Sequence, residues 1–138
     1  MRFHKFEDVV RGAPLLKKNL KIEESLSEHG SRRRLQGAAF FWCPTMIDND
    51  PFSVVHAAQL GVPTLSSDYP AMREVDRLFS LNLSWVDSEN PDEMARQLAR
   101  MEQDSGKLRS FLPQLDQFMD QSAEGVSEIY WNAIKGFL

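Results

Sequence analysis

A chain of 138 residues, 42% hydrophobic and 26% charged, has the size and apolar content of one ordinary core-forming domain. Its net charge of −4 argues against a nucleic-acid binder, because such proteins depend on basic clusters. With a single cysteine, Cys43, neither an internal disulfide nor a cysteine zinc site can form.

The lone thiol reads as a buried structural residue in a reducing, cytoplasmic setting. The N-terminal MRFHKFEDVV is charged and lacks the apolar core of a signal peptide. No apolar run approaches the roughly 20 residues of a membrane span. Arg32, Arg33 and Arg34 form the only basic run, and it reads as a solvated helix face.

In chain order, residues 4–11 predict a short helix stopped by Gly12 and Pro14. Leu20-Lys21-Ile22 reads as a short strand, and residues 31–37 as a helix with Leu35 inward. The run AAFFWCP at 38–44 predicts a strand buried on both faces, as in parallel sheets. A helix over 51–60 follows, with Asp50 as N-cap, Pro51 at the first helical position and Gly61 as its left-handed stop.

Val62 to Ser66 then predict a strand, with Pro63 near its start. Residues 69–79 predict a helix burying Met72, Val75 and Leu78, and the alternation of Leu81, Leu83 and Trp85 predicts a third strand. Asn90-Pro91 opens a helix with Asp92 and Glu93 in its first turn and a stripe of Met94, Leu98 and Met101. Two more helices are expected over 107–119 and 122–137. Strands alternating with helices predict an α/β fold: a Rossmann-like parallel sheet flanked by helices.

Chemistry concentrates in PTMIDNDPFSVVHAAQLGVPTLSSD, residues 44–68. A βαβ unit places the start of its helix at the carboxyl ends of the strands, where parallel sheets bind ligands. The amides of Phe52, Ser53 and Val54 can therefore meet a phosphate, although the Asp50 carboxylate competes for the same donors. Asp48 and Asp50 are two residues apart and can share a cation, but Asp50 already serves as a cap, so no metal site is assigned. Ser53 and His56 lie three apart, without the G-x-S-x-G elbow of a serine hydrolase. Trp42, Trp85 and Trp131 sit in apolar patterns and read as core or interface residues.

The stretch FWCPTMIDNDPFSVVHAAQLGVPTLSSDYPAMREV resembles the retaining, nucleotide-sugar-dependent glycosyltransferases of the GT-B fold, the large group 1 family. That family carries an acidic residue, a helix with a Glu eight positions on, then G-x-P and a strand ending near Ser. Asp48 matches the first acidic position, His56 falls on the second, and Ala57 to Pro63 match the small-residue helix end and turn. SLSEHGSRRRLQGA at 25–38 and residues 90–101 resemble the helices before and after this motif.

The resemblance implies half of a GT-B fold. Residues 1–24 would be a degenerate N-terminal remnant, and 25–138 a C-terminal, donor-binding domain of an N-terminally truncated enzyme. It implies a nucleoside diphosphate sugar as donor substrate, no separate cofactor, and hexosyl transfer. Asp48 would face the sugar as the catalytic carboxylate, the amides of Phe52, Ser53 and Val54 the diphosphate, and His56 the ribose.

Three departures from the pattern predict a domain inactive alone. A neutral imidazole at His56 accepts one hydrogen bond where a carboxylate grips a diol. Asp50 stands where the family has small residues, and the Arg/Lys pair that meets the diphosphate has no match. One domain also supplies only half of a two-domain cleft, so the missing domain, a partner protein or a second copy is an expected partner. The alternative expectation is a non-catalytic α/β interaction module or homodimer.

Overall fold

The computed structural model describes residues 12–23, 26–46, 52–114 and 135. The helices expected at 4–11 and 122–137, and the segment carrying Asp48, Asp50 and Pro51, lie outside the described residues. The chain divides into two compact units, residues 1–31 and 32–138.

The first unit holds helix α1 (Pro14–Asn19) and the start of α2 (Glu28–Gln36). Leu20, Lys21 and Ile22 do not form the expected strand. Leu20 and Ile22 are exposed, and among the described residues no strand pairs with this segment to hold it as one. Helix α2 begins three residues earlier than the apolar pattern suggests. The Ser27 hydroxyl accepts a bond from the Gly30 amide at 3.1 Å and so caps the first turn.

The second unit is an open, three-stranded parallel sheet with helices on both faces, the Rossmann-like arrangement expected. Strands β1 (Phe41–Cys43), β2 (Thr64–Ser67) and β3 (Ser84–Val86) lie side by side in chain order. Phe41, Trp42 and Cys43 pair with Thr64, Leu65 and Ser66, and Leu65, Ser66 and Ser67 pair with Ser84, Trp85 and Val86. Helix α3 (Phe52–Gln59) joins β1 to β2, α4 (Pro70–Phe79) joins β2 to β3, and α5 (Pro91–Arg109) follows β3.

The pleat sorts side chains onto two cores. On one face Cys43, Val54, Val55, Ala58, Met72, Leu81 and Leu83 form a buried cluster, with Phe41 and Trp85 against it. On the other, Leu65, Val86 and Met101 pack with Phe40, Met94, Leu98 and Leu108. Helix α3 rests on β1 and β2, and α5 on β2 and β3. Trp42 is 38% exposed, so β1 is not buried on both faces as its apolar run suggested; the main strand contacts of α5 are with β2 and β3.

Gly61 ends α3 with φ +71, the left-handed conformation expected of it. Val62 and Pro63 are buried in the approach to β2, which starts at Thr64 rather than Val62. Pro63 needs no donor there, and its carbonyl accepts from Phe41 at 2.9 Å. On α4 the buried stripe is Met72, Val75 and Phe79, while Leu78 is exposed. One residue turns the helix by about 100°, which carries Leu78 off the stripe that Phe79 joins.

Helix α5 corrects another expectation. It runs unbroken through Gly106 to Arg109, so residues 107–109 belong to it and not to a separate helix. The apolar spacing from Met94 through Leu98 and Met101 reaches Leu108 in register, and a single glycine costs only about 1 kcal/mol. At its far end the Arg109 guanidinium donates to the Ala38 carbonyl at 2.6 Å, so α5 runs back along the sheet from the end of β3 toward the start of β1.

It starts where the sequence predicts, at Asn90-Pro91, and its start is capped by Asn90 Oδ1, which accepts from the Glu93 amide at 3.1 Å. Replacing Asn90 by alanine is expected to lower the unfolding free energy by about 0.5–2 kcal/mol, measured by urea denaturation. Among the described residues, no helix is long and apolar enough to cross a membrane.

Candidate functional site

All three strands point the same way, so their carboxyl ends share one edge. A cleft of about 430 Å³ opens there. Met46, three residues beyond β1, forms part of it. Asp68 comes from the end of β2, and Trp85 to Glu89 from β3 and the turn after it. Glu93 joins from the first turn of α5. Every contributor lies at or beyond a strand's carboxyl end except Trp85, whose ring rises from within β3. This is the edge at which open α/β sheets take ligands.

The walls are held by short local bonds. The Asp68 amide donates to the Val86 carbonyl at 3.2 Å, extending the β2–β3 ladder by one rung. The hydroxyls of Ser67 and Ser88 are hydrogen-bonded across the two strands. Asp87 Oδ1 accepts from the Glu89 amide at 2.9 Å, which shapes the turn.

Four carboxylates line the cleft: Asp68, Asp87, Glu89 and Glu93. Asp68 is engaged by Arg73 on the first turn of α4, with Nε to Oδ1 at 2.7 Å and Nη2 to Oδ2 at 2.6 Å. The hydrogen bonds from Arg73 hold the Asp68 carboxyl below the ordinary aspartate range; desolvation opposes them, and the Arg73 charge adds a smaller lowering effect. Arg73 also lies over the Trp85 ring, 4.0 Å from its centroid. Among the described residues, Asp87, Glu89 and Glu93 form no ion pair, and no cluster of His, Cys, Asp or Glu is arranged to hold a metal.

Such a cleft accepts hydrogen bonds from hydroxyls readily, since each carboxylate is acceptor-only when ionised. It repels phosphate. Donors for phosphate lie elsewhere on the same edge, among the backbone amides that begin α3.

Of the residues expected from sequence, Asp48 lies outside the described residues. Phe52 and Ser53 open α3, with Phe52 54% exposed and Ser53 half-buried. The Val54 side chain is fully buried in the core, which leaves only its backbone to face a ligand. His56 is exposed on α3. The described lining of the cleft contains none of these four side chains.

The residues that sequence reading missed are Asp68, Arg73, Asp87, Ser88, Glu89 and Glu93. The signal was present. Polar residues directly after two apolar runs, Asp68 after β2 and Asp87-Ser88-Glu89 after β3, are where a parallel sheet turns its loops to a ligand. Trp85, expected as a core or interface residue, packs against one core and also lines the cleft.

Comparison of the chain with protein-family models, with curated proteins and with solved structures gives no match.

Proposed function

We propose that the chain is a glycosyltransferase-like donor-binding domain, inactive alone, which takes a nucleoside diphosphate sugar at the carboxyl edge of its sheet. The carrying observation is the parallel β1–α3–β2 unit. Its helix begins at the same edge as the cleft and ends in a left-handed Gly61, followed by Val62, Pro63 and β2. That order of elements is the one the sequence resemblance requires.

In this reading Asp48 faces the donor sugar, the amides of Phe52, Ser53 and Val54 meet the diphosphate, and His56 meets the ribose. The cleft carboxylates act as acceptors for sugar hydroxyls. Hexosyl transfer would need a second domain to supply the acceptor site. Calorimetric titration with UDP-, GDP- and ADP-sugars tests this, with saturable binding of at least one expected; a folded sample that binds none of them contradicts it.

The acidic cleft also sets the sign of the salt effect. Raising NaCl from about 0.01 M to about 1 M shortens the Debye length from about 30 Å to about 3 Å. Screening then weakens the repulsion between the diphosphate and the cleft, so the affinity for a nucleotide sugar is expected to rise with salt. The parent nucleoside, which carries no phosphate, should show no such rise. Affinity that falls steeply with salt would indicate a basic diphosphate site instead.

A second reading is supported by a separate observation. Trp42 in β1, Met46 just beyond it and Phe52 at the start of α3 are 38%, 49% and 54% exposed. Large apolar residues left in solvent suit a protein partner or a second copy in a non-catalytic module. Sedimentation separates the two, because a strict monomer at high concentration removes the homodimer.

A further inference from the structure

We infer that Arg73 is the positioning residue of the cleft, clasping the Asp68 carboxylate and the Trp85 ring into one fixed wall. The inference deepens the donor-site reading and rests on it for the ligand, though not for the clasp.

Asp68 and Trp85 come from different strands, and each can turn on its own side-chain torsions. Arg73 belongs to neither strand and does not line the cleft, yet it touches both. Its planar fork meets Asp68 through two parallel bonds, which fixes the carboxylate's orientation as well as its position. Its guanidinium carbon lies over the indole, 4.0 Å from the ring centroid, where a planar guanidinium can stack and a lysine ammonium cannot.

Helix α4 holds the arginine in place. Pro70 begins the helix, and the Arg73 amide is anchored to the Tyr69 carbonyl at 3.1 Å. The β2–α4 connection therefore places a cation five residues after the carboxylate it holds. Asp76, one turn further along α4, adds its charge to the field that keeps Arg73 protonated, after the bond and charge of Asp68. With Asp68 neutralised and oriented, Asp87, Glu89 and Glu93 carry the remaining negative charge of the cleft lining.

Both members of the pair are about half exposed, so the clasp adds little to global stability, and variants at Arg73 will fold. That separates positioning from folding. The test compares the wild-type chain with Arg73→Gln and Arg73→Lys, using carbon-13 NMR of the Asp68 carboxyl through a pH titration and the Trp85 indole signals, assigned with Trp85→Phe.

In the wild type, Asp68 titrates below ordinary aspartates, and the Trp85 signals move with it. In Arg73→Gln, the Asp68 midpoint rises into the ordinary range and the Trp85 signals no longer follow it. Arg73→Lys recovers part of the Asp68 shift but not the coupling to Trp85. Whichever of UDP-, GDP- or ADP-glucose the wild type binds is bound roughly tenfold more weakly by Arg73→Gln, because a loosened wall no longer holds its groups in place.

Unchanged Asp68 and Trp85 signals in Arg73→Gln would overturn the inference, as would unchanged affinity for a nucleotide sugar that the wild type does bind. A wild type that binds no nucleotide sugar sinks the donor-site reading alone. The titration would then still decide whether the clasp exists.

Discussion

Replacing Leu65 by alanine is expected to remove about 2–5 kcal/mol of unfolding free energy, the largest loss of any single core truncation on the α5 face. Leu65 is fully buried in the middle of the central strand. It packs with Val86 from β3 and with Met101 from α5. Three elements meet at this one side chain, and both neighbouring strands fix the backbone on which it sits, so the surroundings cannot collapse into the space left behind. A domain of this size is stable by only about 5–15 kcal/mol, so the loss is a large share of the total. Urea unfolding should show a lower midpoint with an unchanged slope. A loss under about 1 kcal/mol would mean that α5 does not pack against the sheet as described.

Replacing Met72 by alanine is expected to cost a similar amount, about 2–5 kcal/mol, from the opposite core. Met72 is fully buried on α4 and belongs to the cluster with Val54, Val55 and Leu81. It shares no cluster with Leu65, because the sheet lies between them. The double variant should therefore lose the sum of the two single losses within about 0.5 kcal/mol. A much smaller combined loss would show that the two faces form one mobile core rather than two separate layers.

Much of this architecture was legible in the sequence, because it depends on local rules. Gly61 had to be a left-handed stop, Asn90-Pro91 a helix start, and the alternating strands and helices a parallel sheet, and each follows from chemistry within a few residues. What failed depends on neighbours. The apolar run at β1 gave no sign that α5 would leave Trp42 uncovered, since that is set by a helix some fifty residues later. Leu20 to Ile22 had strand-like residues and, among the described residues, no strand to pair with. A separate helix was expected from residue 107, but the stripe running from Met94 to Leu108 carries α5 on to Arg109.

The site was legible in part. The sheet edge was predicted, and the cleft lies there. Its chemistry was not, because Asp68, Asp87, Glu89 and Glu93 are scattered over twenty-six positions and meet only through the parallel register. The Arg73 clasp likewise joins residues from β2, α4 and β3, which no short motif connects. Sequence reading favoured the β1–α3 loop because a resemblance pointed there. The fold adds a second, acidic surface to the same edge, which shifts the expected ligand contact from phosphate toward hydroxyl groups.

The decisive measurement is a nitrogen-15 NMR titration of the folded chain with UDP-, GDP- and ADP-glucose, followed residue by residue. A donor-binding domain predicts saturable shifts confined to the sheet's carboxyl edge, at Met46, Asp68, Trp85 to Glu89 and Glu93, together with Phe52 to Val54 and His56 at the start of α3. No shifts with any of the three sugars, or shifts centred on the opposite edge near Ala38, Ser80 and Asn82, would contradict it.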